Sequence, residues 1–94
     1  MSVSPDIQQA VTDRLTLEAF AVWSEMLKGK VSASNIPAWL QHTIAVAEEQ
    51  DNLGRAMAAN IVLKAYVDEF QSNNFEMENW GQRIRTGVYQ TVNA

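Results

Sequence analysis

Among the 11 acids and the single histidine of this 94-residue sequence, the side chains whose spacing invites a chemical reading are His42 and the carboxylates Glu48, Asp51 and Asp68. A dimetal centre in a helical bundle needs four carboxylates and two histidines, typically supplied as Glu-x-x-His pairs. No such pair occurs, and His42 has only Glu49, seven positions on, near its helix face. Cysteine is absent, which excludes disulfides, thiol catalysis and thiolate metal ligation. No serine or threonine sits in a recognisable strained turn that would make it a nucleophile for His42. The glycines, Gly29, Gly54, Gly81 and Gly87, are scattered and build no phosphate-cradling loop. The residues therefore assign no catalytic group, no cofactor and no metal site, and the chain reads as a non-enzyme.

One carboxylate spacing has a known counterpart. Glu48 and Asp51 lie three apart, with Asp68 about one helix further on. This resembles the acidic pairs with which all-helical nucleotide pyrophosphohydrolases hold magnesium. The resemblance covers those residues alone: the additional acid of a Glu-Glu-x-x-Glu element is missing, and no acid stands three positions from Asp68. It implies a small metal-dependent nucleotide hydrolase as a third functional reading, since Mg²⁺ is held by carboxylates converging with substrate phosphates.

Charge sets the case for nucleic acid. Seven bases face 11 acids, for a net charge of −4, and phosphate binding draws its affinity from Lys and Arg. The acids concentrate in the second half, as Glu48, Glu49 and Asp51 and then as Asp68, Glu69, Glu76 and Glu78, which reads as solvated helix surface. Only the last sixteen residues are locally basic, with Arg83 and Arg85 beside Trp80 and Tyr89 and no acid after Glu78. Positions two apart do not share a helix face, so these arginines serve a helix C-terminus or an acidic neighbour better than a groove. A helical transcriptional regulator acting through Arg83 and Arg85 is the second reading. A helix-turn-helix about residues 50–54 has only Arg55 and Lys64 as bases on its second helix.

The strongest positive signal is apolar. Residues 15–27, LTLEAFAVWSEML, hold nine apolar side chains in thirteen positions, spread over more of a helix than one stripe, and such a segment expects burial nearly all round. A domain of this length buries only roughly 60 to 65% of the surface its unfolded chain exposes. Three indoles, Trp23, Trp39 and Trp80, compete for the same cover. Tryptophan is enriched at interface hot spots because it joins a large apolar face to an N–H donor. The leading expectation is thus a protein–protein interaction module, an adaptor, assembly factor or inhibitor of a larger machine. Its contact residues are Leu17, Phe20, Trp23, Leu27 and Trp39, the first four forming a face that two copies share in a homo-oligomer.

Elements to position these residues follow from periodicity. Hydrophobic residues make up 47% of the chain and charged residues 19%, the composition of a folded globule. Apolar residues recur three and four apart without sustained alternation, which predicts an all-α fold, a single domain of about four helices. Ser4, Pro5 and Asp6 start the first helix and Gly29 ends it in a left-handed turn, with a break near Arg14 and Thr16 as a competing reading. Residues 31–36 connect to a second helix carrying Trp39, Leu40, Ile44 and Ala47. Asp51 or Asn52 caps a third, whose apolar positions include Leu53, Met57, Ile61, Val62, Tyr66 and Phe70; one unbroken helix over 37–72 is the rival reading. Gly54, Ala58 and Ala65 mark a side where another helix approaches closely. After a turn at 71–74, a last helix carries Trp80, Ile84, Val88 and Val92. No apolar run approaches the roughly 18 residues of a membrane span, and with no basic start or apolar core at the N-terminus the sequence predicts a cytoplasmic protein that does not engage membranes.

Overall fold

The capping chemistry of the sequence is realised at the first helix. The Ser4 hydroxyl accepts the Ile7 N–H at 3.3 Å, and Pro5 opens α1, Pro5–Lys28. This computed structural model describes residues 4–94. No break occurs at Arg14. The Thr12 and Thr16 hydroxyls donate back to the carbonyls of Gln8 and Thr12, at 2.8 and 2.7 Å, so Thr16 is satisfied inside a continuous helix. A short turn of helix at Ala33–Asn35 leads into α2, Ile36–Glu49, followed by α3, Leu53–Phe70, and α4, Met77–Val92. Among the described residues the fold is all-α, a bundle of four helices.

Two helices end on the same left-handed turn, the first of them one residue beyond the expected glycine. Gly29 keeps a right-handed φ of −73°, and Lys30 takes the left-handed position with φ 52°. The Lys30 N–H reaches the Leu27 carbonyl and the Val31 N–H reaches that of Met26, the paired bonds that close a helix around a left-handed residue. Asp51 repeats this at the end of α2, with φ 56° and the Asn52 N–H on the Ala47 carbonyl at 2.8 Å. That turn separates α2 from α3, and the Asn52 side chain then caps α3 by accepting the Arg55 N–H. The single-helix reading of 37–72 is thereby overturned.

α3 is the hub, packing against all three other helices, while α2 packs chiefly on α3. α1 contributes Leu15, Ala19, Val22 and Met26 to the core, a stripe spaced four, three and four. None of residues 5–14 is buried. The shortest dimension of the molecule is 19 Å, about two helix diameters. Two layers cover only one face of most helices, so the apolar Leu53, Met57 and Phe70 of α3 lie exposed.

Glycine decides how closely α4 docks. A Cβ at Gly81 would stand 3.2 Å from the Trp23 ring, and one at Gly87 only 2.9 Å from Ile61 Cγ2. Both positions therefore use the missing side chain to let α1 and α3 approach. Ala58 and Ala65 are buried as their spacing predicts, but Gly54 is exposed, and a Cβ there would make only ordinary contact, 3.9 Å, with Asn52 Oδ1. Substituting Gly87 with alanine sets an overpacking cost of about 1–3 kcal/mol against a helix-propensity gain of up to about 1 kcal/mol. Urea denaturation should show net destabilisation for Gly87→Ala and unchanged or higher stability for Gly54→Ala.

Candidate binding surface

Trp80 stands at the centre of the core, fully buried, with its indole N–H donating to the Val62 carbonyl at 3.1 Å. Three rings meet it edge-on: Trp23 at 5.5 Å, Tyr66 at 5.1 Å and Phe75 at 5.9 Å between centroids. Such arrangements set the positive ring edge against the negative ring face. The cluster runs out of cover at one end. Tyr66 is buried, but Phe70, stacked on it at 5.9 Å, is 66% exposed.

A cleft of about 480 Å³ opens beside that stack, between the C-terminal end of α3 and the start of α2. Ala33 and Pro37 form one wall, with Tyr66, Val67 and Phe70 opposite. The Tyr66 hydroxyl lies 3.4 Å from the Ala33 carbonyl, a long contact that ties the walls together. No lining residue carries a charge: Ser34 and Gln71 complete the set. The surface thus offers apolar contact and a few neutral polar groups.

The turn behind it is held by a buried carboxylate. Glu69 is 1% exposed, accepts Arg83 Nε at 2.8 Å through Oε1 and receives the Glu76 backbone N–H at 2.9 Å through Oε2. The second bond satisfies a donor at the N-terminal end of α4, where no helical partner is available. The Arg83 hydrogen bond, followed by that from Glu76, holds the Glu69 carboxyl below its ordinary value of 4.5, against the opposing effect of burial. Glu69 thus departs from the solvated-surface reading of its acidic cluster. It braces α3 to α4 on either side of Phe70 and Phe75.

The residues singled out from sequence are dispersed over the molecule. Phe20 and Trp23 turn toward α4, where Phe20 packs on Trp23 at 5.5 Å and the Arg85 guanidinium sits 4.9 Å above the Phe20 ring. The Trp23 indole nitrogen is buried without a hydrogen-bond partner. Leu17 is 69% exposed and Leu27 44%. Trp39 is half-buried against the core and borders a wide, open depression with Lys30, Val31 and His42. Arg83 is engaged by Glu69 and Arg85 by Phe20, so the two arginines serve different contacts. Among the described residues no three His, Asp or Glu side chains converge as a metal site would require. Between α3 and α4 a polar groove of about 510 Å³ mixes Lys64 and Arg83 with Asp68.

No family model matches this chain, and neither the curated proteins nor the solved structures include a match. The geometry of its own residues is accordingly what bears on function. Sequence reasoning missed the cleft because Phe70 is spaced on α3 like the buried Ile61, Val62 and Tyr66. Its nearness to the polar run QSNN at 71–74, where the helix ends and cover thins, was the available signal.

The Glu69 bonds carry a pH dependence of defined sign. Because folding lowers this carboxyl's pKa, its contribution to stability is complete above pH 4.5 and is lost as pH falls through the folded-state value. Glu69→Gln should be less stable than the parent at pH 7, and the difference should shrink below pH 4.5, as read from urea midpoints across that range.

Proposed function

We propose that this chain is a protein-binding module whose contact surface centres on the cleft between Pro37 and Phe70. The observation that carries this reading is the exposure of Phe70 above an uncharged cleft, at the open end of a packed aromatic cluster. A large ring held on a rigid base costs little ordering on association, which is what makes aromatic anchors effective at interfaces. Val67, Phe75 and Met77 are exposed around the same end of the bundle and enlarge the apolar area. A helical-bundle module of this kind acts as an adaptor, assembly factor or inhibitor of a larger protein.

A second reading, self-association, is favoured by the exposure of Leu17 and Leu27 on α1. Together with Ile7 and Val11 they leave this helix with more apolar surface than its own bundle covers. Light scattering on the purified chain decides it. A dimer should form and should be lost in Leu17→Glu, whereas a strict monomer ends the reading.

The leading proposal is tested by affinity capture with the tagged chain from cells that express it. A protein retained by the parent chain should be lost on Phe70→Ser and kept on Leu53→Ser, an equally exposed apolar residue at the other end of α3. Equal capture by both variants, or none by the parent, overturns the role of the cleft.

A further inference from the structure

The polar groove between α3 and α4 shares no lining residue with the cleft and displays charge of both signs. α4 runs back along α3, so that Arg83 meets Glu69 and Gly87 lies against Ile61, two turns earlier on α3. Lys64 and Asp68 stand one turn apart on the α3 wall with Arg83 on the α4 wall, and Asn60, Thr86 and Gln90 line much of the remainder. Its volume of about 510 Å³ is within the range of small-molecule sites. Arg83 is held there by the buried Glu69. That bond uses Nε, and among the described residues the two terminal nitrogens donate to no other group. They are free to make the two-point contact of a guanidinium with a carboxylate. Lys64 and Asp68 are exposed and, among the described residues, join no ion pair. With the base N-terminal to the acid, their order is the weaker one for pairing along a helix. No other lining side chain is charged. Glu69 balances Arg83 and Asp68 balances Lys64, so the groove presents separated charges with little net charge.

We propose that this groove binds a small zwitterion of amino-acid type, its carboxylate held by Arg83 and Lys64 and its ammonium group by Asp68. A bare anion meets the like charge of Asp68 and a bare cation meets those of Arg83 and Lys64, whereas a molecule carrying both charges finds a partner for each. Both contacts are charge-assisted hydrogen bonds, the stronger kind. Arg83 needs little ordering to make its share, since Glu69, 1% exposed, already fixes the guanidinium. The neutral amide and hydroxyl groups of Asn60, Thr86 and Gln90 extend recognition to polar substituents of the ligand. A nucleic-acid backbone is poorly matched, because the two bases that would neutralise phosphates are already balanced by Asp68 and Glu69.

The test titrates glycine, γ-aminobutyrate and ε-aminocaproate, whose two charges stand progressively further apart, into the full ¹⁵N-labelled chain at constant ionic strength. Caproate and hexylamine serve as single-charge controls. At least one of the three amino acids should shift the amide resonances of Lys64, Asp68 and Arg83 saturably, with an affinity about tenfold or more above that of either control. Asp68→Asn changes an exposed side chain that joins no ion pair among the described residues, so the urea midpoint should hold. The same variant should lower the affinity of that amino acid roughly three- to tenfold while caproate binds as before or more tightly. Lys64→Gln should weaken the amino acid and caproate together. The absence of a saturable shift in the groove from all three amino acids overturns the proposal. Equal binding of caproate or hexylamine, or an amino-acid affinity unmoved by Asp68→Asn, overturns it too.

Discussion

The indole of Trp80 is the point on which the three-helix contact of α1, α3 and α4 turns. Its N–H is satisfied by the Val62 carbonyl of α3, so the ring can be withdrawn from water without leaving an unpaired donor, a loss that costs roughly 1–3 kcal/mol when it occurs. Its faces and edges then organise Trp23 of α1, Tyr66 of α3 and Phe75 of the turn. α4 otherwise has little apolar mass, with Ile84 and Val88 as its remaining buried large side chains. Docking so sparse a helix requires close approach, and Gly81 and Gly87 provide it, since a Cβ would crowd the Trp23 ring at 3.2 Å and clash with the Ile61 methyl group at 2.9 Å.

That arrangement leaves one donor unmet and one ring uncovered. The Trp23 nitrogen is buried without a partner, an expense carried by the packing around it. Phe70 stands at the outer end of the same aromatic series. Its exposure follows from the two-layer thickness of the bundle: α2 and α4 flank α3, and beyond its last turn there is nothing left to cover Tyr66's outer neighbour. Glu69, one residue earlier and about 100° round the helix, is buried by Arg83 and the start of α4. Adjacent residues on one helix thus divide the tasks of closing the fold and presenting a surface.

This division gives the cleft a rigid floor. Tyr66 is fixed from three sides by Trp80, Phe75 and the contact to Ala33, and the turn from Ser72 to Glu76 is tied at both ends to Glu69, through its backbone carbonyl and its carboxylate. A surface held in this way loses little conformational freedom when a partner arrives. The loss of Arg83 to an internal ion pair, and of Arg85 to the Phe20 ring, also shapes the exterior. The two bases that made the C-terminal helix look fit for nucleic acid each serve a contact within the chain.

Local chemistry was legible in the sequence. Periodicity of three and four placed four helices, and Ser4 and the Asp51–Asn52 pair marked two caps, realised by the side-chain oxygens of Ser4 and Asn52 that reach the first free N–H groups. Each of these depends on residues within one or two turns. What packed against what was decided only in three dimensions. Composition gave no means of telling Trp80, fully buried, from Trp39, half-buried, or the enclosed Glu69 from its exposed neighbours Asp68 and Phe70. Burial depends on which helix lies opposite, and in a bundle two layers thick an apolar position can face either a neighbour or solvent with no change in its spacing.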